Sequence, residues 1–255
     1  MRLKAVLCDV LARIAYYWAA ASPHIVDIEL LSSTDYHDYP KKGHEVLQSR
    51  IYELDTESAQ YDYILLGYGL CGKIMDGITS GRTPLVVPRT HDCIALFLGG
   101  SAAYERLMKD HPGTLCYVDA WLERSPSRLA DNELQSIGFS AGFEEYVKKY
   151  GEENAKYLFE VANSWKKHYS QCLYIKNALV KQDFSAEVKE KATKENWEYK
   201  EIKGSPIFIK KMFSGEWSDR DFLIVDTYSE ISQVADDRVI QCRKTSIAGS
   251  GQDGQ

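Results

Sequence analysis

Short apolar runs and stretches with helical spacing alternate along the first half of the chain. LKAVLCDV is followed by the helix-like LARIAYYWAAAS, and HIVDIELLS by GHEVLQSRIYELDTESAQ. YDYILLGYG, TPLVVPRTHDC and GTLCYVDAW have the same apolar character and complete the predicted strands of this half. Strand–helix alternation of this kind is typical of a parallel sheet covered by helices. The pattern therefore predicts a doubly wound α/β fold, with a mainly parallel sheet and helices on both faces.

The pattern changes beyond residue 125 and predicts a helical insertion at 126–170, where apolar residues recur at three- and four-residue spacings. Strand patterns return in QCLYIKNAL, NWEYKEIKG and DFLIVDTYSEI. We therefore divide the chain into an α/β half at 1–125 that carries the candidate site, the insertion, and a second α/β half at 171–245. The tail at 246–255 has a Gly, Ser and Gln composition that is typical of disorder.

Composition excludes several classes of protein. The net charge is −6 and the Lys and Arg residues are scattered, unlike the basic surface of a nucleic-acid binder. No run approaches the roughly 20 apolar residues of a membrane helix. The apolar N-terminal stretch resembles a signal peptide, but Cys8 and Asp9 interrupt it, and a first strand that leads into a helix is expected instead. Six cysteines without an export signal indicate reduced thiols or ligands rather than disulfides. We expect a cytoplasmic protein that binds neither nucleic acid nor a membrane.

Three of the cysteines occupy equivalent places in the predicted fold. Cys8, Cys71 and Cys93 each follow a strand where the chain turns toward a helix. In the common strand order 2-1-3-4-5, strands one, three and four are neighbours, and ligands bind at their carboxyl ends. Because neighbouring strands lie about 4.8 Å apart, the three thiols would be within reach of one metal ion or cluster. His91, two residues before Cys93, is the natural fourth ligand.

Core packing is the simpler explanation for any single cysteine, since cysteine is among the most often buried residues. Three cysteines at equivalent strand ends, with a histidine nearby, favour a role as metal ligands instead. Three thiolates and an imidazole suit zinc, and three thiolates with an open position suit a [4Fe–4S] cluster equally well. The remaining cysteines lie within strand-like runs without such companions and are predicted to be structural: Cys116, Cys172 and Cys242.

The glycines around Cys71 allow a second interpretation. Gly67, Gly69 and Gly72 form a complete G-x-G-x-x-G after a predicted strand, and Asp92 follows 20 residues later, as in a dinucleotide-binding fingerprint. That fingerprint normally marks the first strand of its unit, whereas this strand is the third. The glycines also permit a tight turn that directs Cys71 inward. We favour the metal interpretation and keep NAD binding as an alternative. The residues predicted to line the cofactor site are Gly67, Tyr68, Gly69 and Gly72.

Three side chains are candidates for catalysis. If His91 is not a ligand, it can act as a general acid or base, and the metal keeps an open position. Arg89 can hold a carboxylate or phosphate of the substrate through its planar guanidinium group. Asp92 can orient His91. The simpler roles are a solvated arginine for Arg89 and a helix N-cap for Asp92.

The block from LGYGLCG through LVVPRTHDCIALFLGGSAAYERL to HPGTLCYVDAWLE, after a first strand that ends in Cys8, resembles domain-of-unknown-function family 1638 (DUF1638). The resemblance covers residues 3–230 and is most specific between Gly67 and Glu123. It implies no settled activity; members of the family occur mostly in anaerobic bacteria and archaea, often near genes of corrinoid-dependent methyl transfer. The matching positions are Cys8, Gly67, Gly69, Cys71, Gly72, Arg89, His91, Asp92 and Cys93.

These patterns predict a metal-dependent α/β enzyme, a transferase or lyase, with zinc or a [4Fe–4S] cluster held by Cys8, Cys71, His91 and Cys93. The resemblance implies a role in corrinoid-linked one-carbon or methyl-transfer metabolism. A non-catalytic protein that handles a metal or a corrinoid, and an NAD-dependent oxidoreductase, stay open as alternatives. The expected partners are a small-molecule substrate and, through the resemblance, a corrinoid protein or methyltransferase. Assembly into a homo-oligomer is also left open.

Overall fold

A computed structural model describes residues 1–33, 39–56, 60–125, 129, 147–148 and 150–245. The tail at 246–255 and most of the first part of the predicted insertion lie outside the described residues. Within the described part of the chain, no helix combines the length and the apolar character needed to cross a bilayer.

The principal sheet has five strands in the order β2-β1-β3-β4-β8. They are β1 (Arg2–Cys8), β2 (Ile25–Leu31), β3 (Tyr63–Gly67), β4 (Leu85–Pro88) and β8 (Phe222–Val225). β1 pairs in parallel with both β2 and β3, and β3 pairs in parallel with β4. The apolar runs of β1 and β3 explain their central positions, because nearly every residue of these strands is buried. The predicted order of the first four strands is confirmed.

The fifth predicted strand does not join this sheet. β5 (Thr114–Val118) pairs in parallel with β6 (Gln171–Lys176), which pairs with β7 (Glu198–Lys203), in a separate three-stranded sheet. The edge beside β4 is occupied by β8, which runs antiparallel. The order 2-1-3-4-5 is therefore wrong at its last strand. Each of these two sheets contains strands from both sides of residue 125, and the division of the chain into segments stays a prediction.

Helices follow most of the strands, as expected. The described helices are α1 (Ala12–Ala20), α2 (Pro40–Thr56), α3 (Ile94–Leu98), α4 (Ser101–Asp110), α5 (Asp119–Arg124), α6 (Glu152–Asn163), α7 (Ser185–Lys194) and α8 (Ile207–Ser214). α3 and α4 are separated at Gly99 and Gly100, which both have positive φ. α6 lies in the described part of the predicted insertion. A hairpin of β9 (Ser229–Gln233) and β10 (Ile240–Lys244) completes the structure.

Both faces of the principal sheet are covered. Alternate residues of β1 point to opposite sides: Leu3 and Leu7 pack in a core that includes α1 and α8, whereas Val6 packs in a core that includes α2. The β9–β10 hairpin adds to the second core through Ile231 and Ile240. The α/β fold with a mainly parallel sheet is confirmed, and the carboxyl ends of β1, β3 and β4 form one edge of the protein where loops meet.

Candidate functional site

Those three carboxyl ends surround one small pocket. Cys8 is the last residue of β1, and Cys71 and Cys93 lie in the loops that follow β3 and β4. All three line a cavity of about 30 Å³. This space exceeds the minimum of about 10–15 Å³ that one buried water requires. The structure thus brings together the three cysteines that the sequence singled out.

A strained turn positions Cys71. Three successive residues have positive φ, 40° at Cys71, 70° at Gly72 and 75° at Lys73, although only glycine adopts such values without cost. Backbone hydrogen bonds hold the turn in place. The N–H of Leu70 donates to the carbonyl of Thr90 at 3.0 Å, and the N–H of Cys71 donates to the carbonyl of His91 at 3.1 Å. The loop after β3 is therefore fastened to the loop after β4.

Gly69 allows these two loops to touch. A Cβ at this position would lie 2.7 Å from the Cα of Asp92, closer than real side chains approach a backbone. Beyond Gly69, residues Cys71–Lys73 form a short 3₁₀ segment, and turns follow where the sequence predicted a helix. A dinucleotide fingerprint needs an α-helix whose N-terminus receives the pyrophosphate. The geometry does not supply that helix, and the glycines serve the contact between the loops.

The thiols of Cys71 and Cys93 interact directly. A hydrogen bond from Cys93 stabilises the thiolate of Cys71 and lowers the pKa of Cys71. The same hydrogen bond, together with burial, raises the pKa of Cys93 well above its ordinary value. The pair therefore carries its first negative charge on Cys71. A thiolate is both the nucleophilic and the metal-binding form of cysteine.

Asp9 connects the end of β1 to the segment that follows β2. Its Oδ1 atom lies 4.0 Å from the Sγ atom of Cys8 and accepts a hydrogen bond from the N–H of Ser33 at 3.0 Å. This contact holds Ser33 in the wall of the pocket. Ser33 was missed by the sequence analysis. Its position just after β2, the neighbour of β1, was the signal that pointed to it.

Two hydroxyl groups in the pocket wall are buried without a hydrogen-bond partner among the described residues. They belong to Tyr68 and Ser33, whose side chains are only 7% and 3% exposed. Unpaired buried hydroxyls are uncommon because each has lost its hydration. Burial, followed by the negative charges of Cys8 and Cys71, raises the pKa of Tyr68 well above its usual value. The phenol of Tyr68 is therefore a neutral hydrogen-bond donor.

His91 and Asp92 are not among the described residues that line the pocket. His91 is exposed, and its backbone carbonyl, rather than its imidazole, holds Cys71. The Oδ1 atom of Asp92 accepts a hydrogen bond from the N–H of Ile94 at 2.9 Å, at the start of α3. Asp92 also interacts with the hydroxyl of Tyr104. The catalytic roles of both side chains stay predictions.

Arg89 is buried, with 6% of its surface exposed, and its guanidinium group is engaged in structural contacts. The Nε atom donates to the carbonyl of Asp219 at 2.7 Å, and Nη2 donates to Oδ1 of the same residue at 2.8 Å. Nη1 donates to the carbonyls of Arg238 and Ile240. These bonds attach the end of β4 to the chain before β8 and around β10. Arg89 thus has a structural role, and its contact with substrate stays a prediction.

The other cysteines lie elsewhere. Cys116 and Cys172 are buried in β5 and β6, and Cys242 is half-buried in β10. None of the three is among the described residues that line the pocket. Burial raises the pKa of Cys116 to about 12, so this thiol stays protonated. These positions agree with structural roles.

The cysteine thiols of the pocket are suitable ligands for a soft metal, but they are not arranged as a preformed metal-binding site. Thiolates are preferred ligands of zinc and of iron–sulfur clusters. Within the described part of the chain, however, no group of three or more His, Cys, Asp or Glu side chains is arranged to hold a metal ion. Metal binding would therefore require the side chains of Cys8, Cys71 and Cys93 to turn toward one point.

A comparison with protein families identifies the chain. The model of a family described as "Protein of unknown function (DUF1638)" matches residues 32–213. The chain belongs to the DUF1638 family. The match includes the loops of Cys71 and Cys93 and begins after Cys8. Comparisons of this DUF1638 protein with curated proteins and with solved structures found no match.

Proposed function

We propose that this DUF1638 protein is a metal-dependent enzyme whose centre, zinc or a [4Fe–4S] cluster, is bound by Cys8, Cys71 and Cys93. The observation that carries the proposal is that thiols from three separate strand ends line one cavity of about 30 Å³. The lowered pKa of Cys71 adds support, because a metal binds the thiolate and not the thiol. The positive φ of Cys71 is a further sign, since backbone strain of this kind clusters at functional sites.

The number of ligands favours catalysis over a structural centre. Structural zinc sites have four protein ligands, whereas catalytic sites keep one position for water or substrate. Because His91 is not among the described residues of the pocket wall, three thiolates leave such a position open. The reaction class that we propose is that of a transferase or lyase in one-carbon or methyl-transfer metabolism, with a corrinoid protein or a methyltransferase as partner. This finer assignment rests on the family resemblance.

Metal analysis of anaerobically purified protein tests the proposal. A cluster would colour the protein brown, with broad absorption at about 400 nm, and zinc would leave it colourless. Cys8→Ser, Cys71→Ser and Cys93→Ser should each lose most of the metal. Cys172→Ser, which changes a buried cysteine of β6 outside the pocket, is the matched control and should retain it. Retention of the full metal content in all three pocket variants would overturn the proposal.

The contact between Cys71 and Cys93 favours a second candidate, a dithiol that exchanges with disulfides. The thiolate of Cys71 would attack a disulfide of a partner, forming a mixed disulfide and releasing one partner thiolate, which takes a proton from solvent. Cys93 would then lose its proton, attack the sulfur of Cys71 and displace the second partner sulfur, which gains that proton. The pair would end as a disulfide, and the partner would gain two electrons and two protons. Treatment with oxidised glutathione followed by mass spectrometry tests this. A disulfide between Cys71 and Cys93 in protein that binds no metal would favour this candidate over the first.

A further inference from the structure

Tyr68 and Ser33 both line the cysteine pocket, and each carries a buried hydroxyl group. They come from different strands, since Tyr68 directly follows β3 and Ser33 follows β2. Both side chains are more than nine-tenths buried, and neither hydroxyl has a hydrogen-bond partner among the described residues. Because a buried polar group is normally paired, two unpaired hydroxyls in one cavity indicate a missing polar ligand.

The rest of the wall limits the charge of that ligand. None of the described residues that line the pocket is Lys, Arg or His, so none of these side chains can neutralise a carboxylate or phosphate. The carboxylate of Asp9 lies 4.0 Å from Cys8 and adds negative charge nearby. Leu31 and Ile74 supply apolar surface. These surroundings favour a neutral molecule over an anion.

The size of the cavity limits the ligand further. Its volume of about 30 Å³ is far below the roughly 300–1,000 Å³ of pockets that enclose drug-sized molecules. A nucleotide or a corrinoid ring cannot enter it. Two hydroxyl donors match the two lone pairs of one carbonyl oxygen.

We propose that Tyr68 and Ser33 bind the oxygen of a small neutral carbonyl compound, an aldehyde or amide, whose apolar end packs against Leu31 and Ile74. This inference rests on the proposed function in that the bound molecule would be the substrate presented to the thiol centre. Tyr68 and Ser33 are then the residues that select a neutral substrate and orient it toward the cysteines.

Acetamide is a suitable probe, and acetate, which has nearly the same shape but a negative charge, is its control. Binding is measured by calorimetry and by ligand-observed NMR on the full chain, both metal-free and metal-loaded. Acetamide should bind with a dissociation constant in the millimolar range, as expected for a ligand of roughly four non-hydrogen atoms. In the metal-free protein, acetate should bind at least about tenfold more weakly, because its charge would be buried without a partner.

Three variants assign the binding to the two hydroxyls. Tyr68→Phe and Ser33→Ala should each weaken acetamide binding by about threefold to tenfold, the effect of one lost hydrogen bond. Thr90→Val is the matched control. The hydroxyl of Thr90 is also buried without a partner among the described residues, but Thr90 is not part of the described pocket wall. This variant should bind acetamide like the parent protein.

The outcomes separate this inference from the proposed function. No detectable acetamide binding, which is the result expected if the hydroxyls hold only water, would overturn it. Equal binding by the parent, Tyr68→Phe and Ser33→Ala would overturn it as well. Metal content is measured on the same samples, so a protein that binds acetamide through Tyr68 but holds no metal would refute the metal centre and keep the ligand site. Thermal melting checks that each variant is folded, and Ser33→Ala decides alone if Tyr68→Phe does not fold.

Discussion

Gly69 lies against the backbone of Asp92 so closely that a Cβ at residue 69 would be 2.6 Å from the carbonyl carbon of Asp92. This contact joins the loop after β3 to the loop after β4. Together with the hydrogen bond from the N–H of Cys71 to the carbonyl of His91, it sets Cys71 beside Cys93. The atom that a side chain would meet belongs to the backbone, which cannot move aside as the end of a flexible side chain can.

We therefore expect Gly69→Ala to separate the two loops. It should lower the free energy of unfolding by about 2–3 kcal/mol, the cost of overpacking a tight contact, and should reduce acetamide binding. Gly151→Ala is the comparison, because Gly151 has a φ of 79° but no heavy atom within 4 Å of the added Cβ. That change should cost about 1 kcal/mol through backbone strain and leave the pocket intact. Urea denaturation measures the free energy of unfolding of both variants. If Gly69→Ala and Gly151→Ala changed stability and acetamide binding equally, this would argue against the close contact at Gly69.

The unpaired hydroxyl of Tyr68 should lower the free energy of unfolding of the ligand-free protein. Tyr68→Phe removes that hydroxyl and should raise the free energy of unfolding by about 1 kcal/mol. Tyr174→Phe should do the opposite, because the hydroxyl of Tyr174 accepts a hydrogen bond from the N–H of Phe184 at 3.0 Å. Its loss leaves a buried N–H unpaired, at a cost of about 1–3 kcal/mol. A loss of stability in Tyr68→Phe, measured by urea denaturation, would show that its hydroxyl has a partner.

The pH dependence of alkylation should distinguish the cysteines of the metal-free protein. Because its pKa is lowered, Cys71 should react with iodoacetamide with a midpoint at lower pH than that of an ordinary free thiol. Cys116, with a pKa of about 12, should stay unreactive in the folded protein. Peptide mass spectrometry follows each site.

Cys93→Ala should raise the pKa of Cys71, because it removes the hydrogen bond that stabilises the thiolate. The midpoint for alkylation of Cys71 should then move to higher pH. Cys172→Ala, which changes a cysteine outside the described pocket wall, should leave that midpoint where it is. An unchanged midpoint in Cys93→Ala would mean that the two thiols do not interact in solution.

Replacing Arg89 tests its structural role. Arg89→Lys keeps the positive charge but loses most of the bonds to Asp219, Arg238 and Ile240, so it should destabilise the protein by about 3 kcal/mol or more. In the protein that remains folded, metal content and acetamide binding should match the parent. Arg13→Lys changes an exposed arginine that pairs with Glu123 and should have a much smaller effect on stability. Lost acetamide binding in a stable Arg89→Lys protein would restore the predicted contact with substrate.

Much of the fold follows from local pattern. The apolar runs of β1, β3 and β4 predict buried parallel strands because these strands are covered on both faces and tolerate few polar residues. Short turns after each strand then place Cys8, Cys71 and Cys93 at the same edge. Periodicity also predicts α1, α2 and α7, whose buried and exposed positions alternate with the turn of the helix.

Other features depend on contacts between residues far apart in the chain. β5 and β8 are both short apolar strands, and only packing across the whole molecule decides that β8 pairs with β4 while β5 pairs with β6. Arg89 resembles a substrate-binding residue until its partners, about 130 and 150 positions later, are known. The exposure of His91 and the burial of Ser33 are likewise decided by how neighbouring loops meet. The sequence by itself determined most of the strands and helices and which thiols reach the strand ends, since these follow from the period of each segment. Only the tertiary structure decided which side chains complete the pocket, because burial and hydrogen bonding depend on surfaces that no single segment contains.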